Sequence, residues 1–303
     1  MEESIDKKSK LHHDHSHVKG NIKVAFFLNL TFTLIEIMGG FLTNSMAILS
    51  DALHDLGDSL SLGIAWFLEA YSQKKPDARF SFGYARFSLL GALLNSFILL
   101  GGSILILSKS VPRIFHPESV NPQGMLMLAM LGIVVNGLAV LRLKKGSSLN
   151  EKVVSWHLLE DVFGWAIILI TSIVLMFVHI PIIDPLLSIA LTLYVLFNVV
   201  KNVKSILNIL MEGVPDNLSV HDIVSKIAAV PDVLEVHHTH IWSLEGDKNL
   251  LSTHIVLSTD KNHQEIVSLK RAVRELLISE GIEHSTIEMD FENEDCGNRN
   301  CLL

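Results

Sequence analysis

Apolar residues in the first two-thirds of the chain gather into six long stretches, at about 22–42, 46–70, 84–110, 122–143, 154–179 and 182–206. A bilayer core takes roughly 20 largely apolar residues per helix, so each stretch predicts a membrane-spanning helix. The third, fourth and sixth are clean runs, such as Leu89 to Leu107, whereas the first, second and fifth carry acidic residues. From Glu212 onward the pattern shortens and turns amphipathic. Leu218 to Val230 has the apolar period of a surface helix, and so has His263 to Ser279. Val233 to Leu244, Asn249 to Leu257 and Glu283 to Phe291 read as strands, the first two joined by a turn containing Gly246. The predicted fold is an α-helical membrane domain of six transmembrane helices followed by a small α+β ferredoxin-like cytoplasmic domain of order α-β-β-α-β. The limits that go with it are a His-containing tail at 1–21, a membrane domain at 22–211, a second domain at 212–292 and a Cys-containing tail at 293–303.

Composition sharpens this division. The chain of 303 residues is 49% hydrophobic and 18% charged, with a mean hydropathy of +0.41, where soluble domains run near ~25% charged. A net charge of −8 speaks against nucleic acid as a partner, which wants a basic face. The only cysteines, Cys296 and Cys301, stand in the final residues, so the fold does not rest on disulfides. The polar first residues carry no secretory signal, and the only biased segment is the cluster His12, His13, Asp14, His15 and His17. Basic residues mark the loops: Lys74, Lys75 and Arg79 after the second stretch, Arg142, Lys144, Lys145 and Lys152 around the fourth-to-fifth connection, Lys201 and Lys204 near the end of the sixth. The opposite loops are poor in Lys and Arg, with Arg113 the main exception. The positive-inside rule then places both termini in the cytoplasm.

The sharpest chemical signal is charge where a membrane should be. On insertion scales a central Asp costs about 2.5–3.5 kcal/mol, yet the second stretch holds Asp51, His54, Asp55 and Asp58, and the fifth holds His157, Glu160 and Asp161. His54 and Asp58 are four residues apart, one turn along a single helix face, and His157 and Asp161 repeat the spacing. Two helices turning these faces together would offer two imidazoles and two carboxylates, a four-ligand set suited to tetrahedral Zn(II). A lone intramembrane His or Asp usually serves helix–helix hydrogen bonding; the doubled pattern points to metal. Asp51 shares the His54/Asp58 face and reads as a supporting or pathway group, while Asp55 and Glu160 read as residues nearer the membrane surface. Asn29, Thr33 and Glu36 form one polar stripe on the first stretch, and Asn95 and Asn136 are isolated. Hydrogen bonding between helices accounts for these, with a pathway-lining role open for Glu36.

A second candidate site lies in the C-terminal part. If Glu245 and Gly246 make a two-residue turn, Leu244 faces Asp247 and counting outward brings His237 opposite His254. Opposite residues share a sheet face with Cβ atoms about 4.5–5.5 Å apart, close enough for two imidazoles to hold one ion. In the third strand Ile287, Met289 and Phe291 alternate with Glu288 and Asp290, so both acids belong on the face away from the helices. His238, His240 and His284 receive no role.

These residues carry a resemblance. Glu36-Ile-Met-Gly-Gly, Ser50-Asp51-Ala-Leu-His54-Asp-Leu-Gly-Asp58, Phe82-Gly83-Tyr84-Ala-Arg86, His157-Leu-Leu-Glu-Asp161, Ile183-Asp184-Pro185 and His237-His-Thr-His240-Ile-Trp242-Ser are together similar to the cation diffusion facilitators, most of all their zinc-exporting branch. The likeness runs from about Val24 to Phe291. It implies six helices, a metallochaperone-like cytoplasmic domain, a homodimer in the lipid bilayer, and metal export in exchange for protons. It assigns the transport site to His54, Asp58, His157 and Asp161, and cytoplasmic ligands to His237, His254 and Asp290, with His263 and Glu288 as further candidates. Two departures stand out: the loop 144–150 is short and lacks histidine, and 69–79 holds no histidine for an additional site.

The reading that follows is a non-enzymatic exporter of Zn(II) across the cell membrane, with structural or regulatory Zn(II) in the cytoplasmic domain. Metal binds neutral His and ionised Asp, so binding releases protons and proton exchange follows from the ligands themselves. Export of Co, Cd, Mn or Fe stays open, though paired imidazoles favour Zn or Co over Mn. An intramembrane metallohydrolase lacks its His-Glu-x-x-His string; a membrane metal sensor would show no flux.

Overall fold

The computed structural model describes residues 27, 29–72, 74–143, 149–178, 180–258 and 261–292. The N-terminal histidines, most of the 144–150 loop and the tail with Cys296 and Cys301 lie outside these. Six helices come first: α1 (Asn29–Thr43), α2 (Met46–Ser72), α3 (Phe87–Phe115), α4 (Pro122–Leu143), α5 (Leu149–Phe177) and α6 (Ile183–Leu210). Among the described residues, four segments are long and apolar enough to cross a membrane: Phe87–Phe115, Pro122–Leu141, Leu158–Phe177 and Ile183–Leu210. The 27 residues of α2 reach about 40 Å at 1.5 Å per residue, but Asp51, Asp55 and Asp58 interrupt its apolar run. The described part of α1 is apolar and shorter.

Two compact units emerge, one comprising the described residues up to Ala70 together with Gly91–Asn202, the other Tyr71–Leu90 with the residues from Val203. In the first, Trp165, Ile168 and Leu175 of α5 meet Met125 and Ala129 of α4, Phe32 of α1 and Ile48 of α2 in one buried cluster. Trp165 fits because α4 carries Gly132 opposite it; a Cβ there would stand 2.3 Å from the indole. The turn between α1 and α2 is fixed by polar contacts. Asn44 adopts φ 55°, and Arg113 donates to its carbonyl at 2.9 Å and its side-chain oxygen at 2.7 Å. Arg113 also pairs with Glu118 at 2.7 Å, so the basic exception among the loops is neutralised locally. Asp184, fully buried at the start of α6, accepts from Ser45 Oγ at 2.5 Å and from the Met46 and Ala47 amides at 2.7 and 3.4 Å. It caps the N-terminus of α2 from another helix, satisfying amides that have no intrahelical partner.

The second unit contains α7 (Val220–Ala228), β1 (Glu235–Ser243), β2 (Asn249–Leu257), α8 (His263–Ser279) and β3 (Ile282–Phe291). Ser219 caps α7, and Asn262 with Glu265 forms a reciprocal capping box on α8. The sheet order is β1-β2-β3, with β1 antiparallel and β3 parallel to β2. The parallel pair requires a crossover, which α8 supplies. Ile223 and Ile227 of α7 and Leu269, Val273 and Leu277 of α8 pack on Ile241, Leu251, Ile255 and Ile287. Met289 and Phe291 join that core, so the predicted inward set of β3 is the one observed.

The hairpin departs from expectation in an instructive way. Leu244 pairs with Lys248, its amide donating at 2.9 Å, so the turn is one residue longer than the two-residue turn expected. Ser243 therefore faces Asn249 and His240 faces Ser252. A β-bulge at His238 and Thr239 then absorbs the extra residue, and His237 still faces His254. The expected pairing arises, but through two compensating irregularities.

Candidate metal centres

In the first unit, His54 and Asp58 lie on one face of α2 as the spacing requires, with Nε2 and Oδ2 3.7 Å apart. Asp161 of α5 is buried and close enough to Asp51 and Asp55 of α2 to interact electrostatically with both. Gly164, three residues on, lies against Asp51, whose Oδ1 would stand 3.4 Å from a Cβ placed there. The polar face of α2 is thus turned toward α5. His157 belongs to α5, one turn before Asp161, but its side chain is outside the described residues.

Two further carboxyls join this face. Asp55 is buried, 4% exposed, and Glu36 of α1 is fully buried, within electrostatic reach of Asp55, Asp51 and Asp161. The carboxylate cluster is therefore wider than the spacing implied and includes α1. Glu160 is exposed and accepts a short hydrogen bond from the Tyr194 hydroxyl. Asn29 bonds α1 to α2, donating to Ser59 Oγ at 3.0 Å, and Asn95 donates to Ser61 Oγ at 2.7 Å, both the helix-to-helix role expected.

In the second unit, three strands bring imidazoles and carboxylates together. His237 on β1 and His254 on β2 have ring centroids 5.3 Å apart. Asp290 on β3 lies 2.9 Å from His254 Nδ1 and 3.5 Å from His237 Nε2. Glu288 lies 3.4 Å from His254 Nε2. Burial pushes the His237 pKa below the ordinary imidazole value, Glu235 and Asp290 opposing and His238 and His254 reinforcing. A lowered value keeps the ring neutral, the form that can bind metal.

Among the described residues, two groups offer ligand atoms mutually within 4.8 Å: His237, His238 and His254, and His254, Glu288 and Asp290. His263 is exposed in the first turn of α8 and joins neither. His238 is the residue that sequence reasoning passed over. Strict strand alternation would put it on the far side of the sheet from His237, and no local signal marks the bulge.

Family models match most of the chain: a cation efflux transmembrane domain over residues 22–211 and the cytoplasmic domain of cation efflux proteins over residues 215–292. Similar proteins include a cadmium, cobalt and zinc/H(+)-K(+) antiporter of Bacillus subtilis, 34% identical over 286 residues covering 92% of each chain. The metal cation efflux system protein CzcD of Cupriavidus metallidurans is 34% identical over 92% of this chain and 90% of its own. The zinc transporter ZitB of Escherichia coli is 30% identical over 96% of each. Among solved structures, the metal-bound C-terminal domain of a CzcD transporter matches 24% of this chain and 99% of its own at 28% identity, with a TM-score of 0.22.

Proposed function

We propose that this chain, which belongs to the cation efflux family of the cation diffusion facilitators, is a secondary transporter exporting Zn(II) from the cytoplasm in exchange for protons. Divalent metal efflux is the activity of the family and of its named relatives, which are transporters and not enzymes. The observation that supports the finer reading is the approach of α2 to α5: Asp51, which shares the helix face of His54 and Asp58, lies against Gly164, and Asp51 and Asp55 reach Asp161 electrostatically. His54, Asp58, His157 and Asp161 form the transport site in this reading. Two imidazoles and two carboxylates suit Zn(II) and Co(II) better than Mn(II). Metal and protons compete for the same ligand atoms, so binding on the cytoplasmic side releases protons and a more acidic opposite side favours release of the metal. Glu36, Asp51 and Asp55 border the site and add carboxyl oxygens beside it.

The rest of the proposal concerns architecture. All six helices cross the membrane, α1 and α2 shielding their polar faces inside the bundle, with both termini cytoplasmic and the cell membrane as location. The domains divide at 22–211 and 212–292, with tails on either side, and the second domain is ferredoxin-like. Its His237, His254 and Asp290, with Glu288 beside them, fit a resident Zn(II), since imidazole and carboxylate donors converge there. That ion would tie the three strands together and favour a homodimer.

Purified protein in sealed vesicles tests the transport reading against a panel of Zn, Co, Cd, Mn and Fe. Zinc flux is expected in the native protein and only background flux in His54→Ala or Asp161→Ala, each still inserted. Native flux in either variant would remove the site assignment, and a chain that binds metal but moves none would be a sensor.

A further inference from the structure

We infer that His238 is a third nitrogen ligand of the cytoplasmic-domain metal site, giving it three imidazoles and the Asp290 carboxylate, a donor set for a borderline divalent ion such as Zn(II) or Co(II). The inference rests on the reading of His237, His254 and Asp290 as ligands and adds a residue whose position in the sequence hides it.

The sheet itself carries the argument. On β1, His237 and His240 pair with His254 and Ser252, the alternate residues on one face of β2. Three residues apart, they could not both lie on that face in a regular strand, where faces alternate. The bulge at His238 and Thr239 makes it so, setting two residues of β1 against Thr253 alone. Thr239 and Thr253 pin it through a hydroxyl–hydroxyl bond of 2.7 Å. Instead of projecting to the helix-covered side, the His238 ring lies 5.1 Å from both the His237 and the His254 rings.

The backbone is strained to achieve this. His238 has φ 50°, a left-handed conformation that disfavours residues with a Cβ and that glycine usually occupies in bulges of this kind. A glycine or asparagine would serve a bulge whose only task was to bend the strand. A β-carbon at a strained position, bearing an imidazole that meets two others, is the pattern of strain kept for a site. The reach is also right. One nitrogen from each of the three rings already falls within 4.8 Å of the others. Tetrahedral binding at Zn–N of 2.0–2.1 Å needs nitrogens about 3.3 Å apart, a closure that modest side-chain rotations provide. Three nitrogens and one carboxylate oxygen then complete four-coordination, which favours Zn(II) or Co(II) over oxygen-seeking Mn(II) or Mg(II).

The test uses the full-length chain in detergent with the membrane site removed by His54→Ala and Asp161→Ala, loaded with less than one equivalent of Zn(II). X-ray absorption counts imidazoles around the ion, and chelator competition gives its affinity. The parent background is expected to show three imidazoles. His238→Gly and His238→Asn, both compatible with the left-handed backbone, are expected to show two and to bind at least about tenfold more weakly. His238→Gly should also melt no lower than its parent without metal, separating ligation from folding. An imidazole count or affinity unchanged in both His238 variants, while His237→Ala weakens binding, would overturn the role of His238 alone. Zinc binding unaffected by His237→Ala as well would overturn the site and this inference together.

Discussion

His54 is the residue on which metal choice turns in the proposed transport site. Exchanging it for aspartate replaces a borderline nitrogen donor with a hard oxygen on a shorter arm. His54→Asp is expected to lower zinc flux about tenfold or more while raising the relative handling of larger, oxygen-tolerant ions such as Cd or Mn, the carboxylate donor suiting Mn in particular. Competition flux across the metal panel checks this, and an unchanged ranking would place selectivity elsewhere. Asp77 shows a different kind of residue-level control, outside the helices. Its carboxylate accepts from the Tyr84 hydroxyl at 2.7 Å and from the Arg79 and Phe80 amides at 2.8 Å each. The Tyr84 bond, then the amides, hold its pKa below the ordinary carboxylate value. A depressed folded value means the stabilisation is fully present above the ordinary value and is lost as pH falls through the lowered one. The Arg79 and Phe80 amides should thus stay protected until below about pH 4, and Asp77→Ala should expose them already at neutral pH. Hydrogen exchange measures both.

At the scale of elements, the helices that bear the candidate site depend on contacts from other helices. Asp184 of α6 holds the first turn of α2, the helix of His54 and Asp58, through a charged acceptor. Hydrogen bonds to charged groups contribute about 1.5–3 kcal/mol each, so Asp184→Ala should destabilise the chain by roughly 3 kcal/mol, with Asp184→Asn intermediate. Gly132 lets α4 approach Trp165 of α5, and Gly132→Ala overpacks that contact at about 1–3 kcal/mol. Thermal unfolding of the purified chain, followed by tryptophan fluorescence, should rank both variants below the native protein. A native-like midpoint in Asp184→Ala would show that α2 caps itself by another route. The β1–β2 hairpin makes a complementary point. A longer turn and a bulge cancel so that His237 meets His254, and deletion of either alone would shift the register and separate the two rings.

For the molecule as a whole, the decisive property is coupling between metal and protons. If the ligands carry both, an acidic interior in vesicles holding the inverted protein should speed zinc uptake, and uptake should drive protons outward. Each pH unit supplies about 1.4 kcal/mol per exchanged proton, enough for a several-fold change in initial rate. A pH-sensitive dye inside the vesicles reads the proton movement. Zinc flux indifferent to the gradient would mean uniport and would leave the imidazoles as ligands alone.

Local pattern was sufficient wherever structure is decided within a few residues. The ends of β2 at Asn249 and Leu257 and of α8 at His263 and Ser279 were legible, because alternation defines the strand and Asn262 with Glu265 defines the helix start. The inward face of β3 was legible for the same reason, as was the shared face of His54 and Asp58. Periodicity states which residues share a face but not which partner that face meets. So the approach of Glu36 and Asp55 to Asp161, the capping of α2 by Asp184 from 138 residues away and the return of His238 to the face of His237 were decided only by tertiary structure. Each depends on how separate elements pack and on where a strand breaks its alternation, and those are settled by the free energy of the assembled chain.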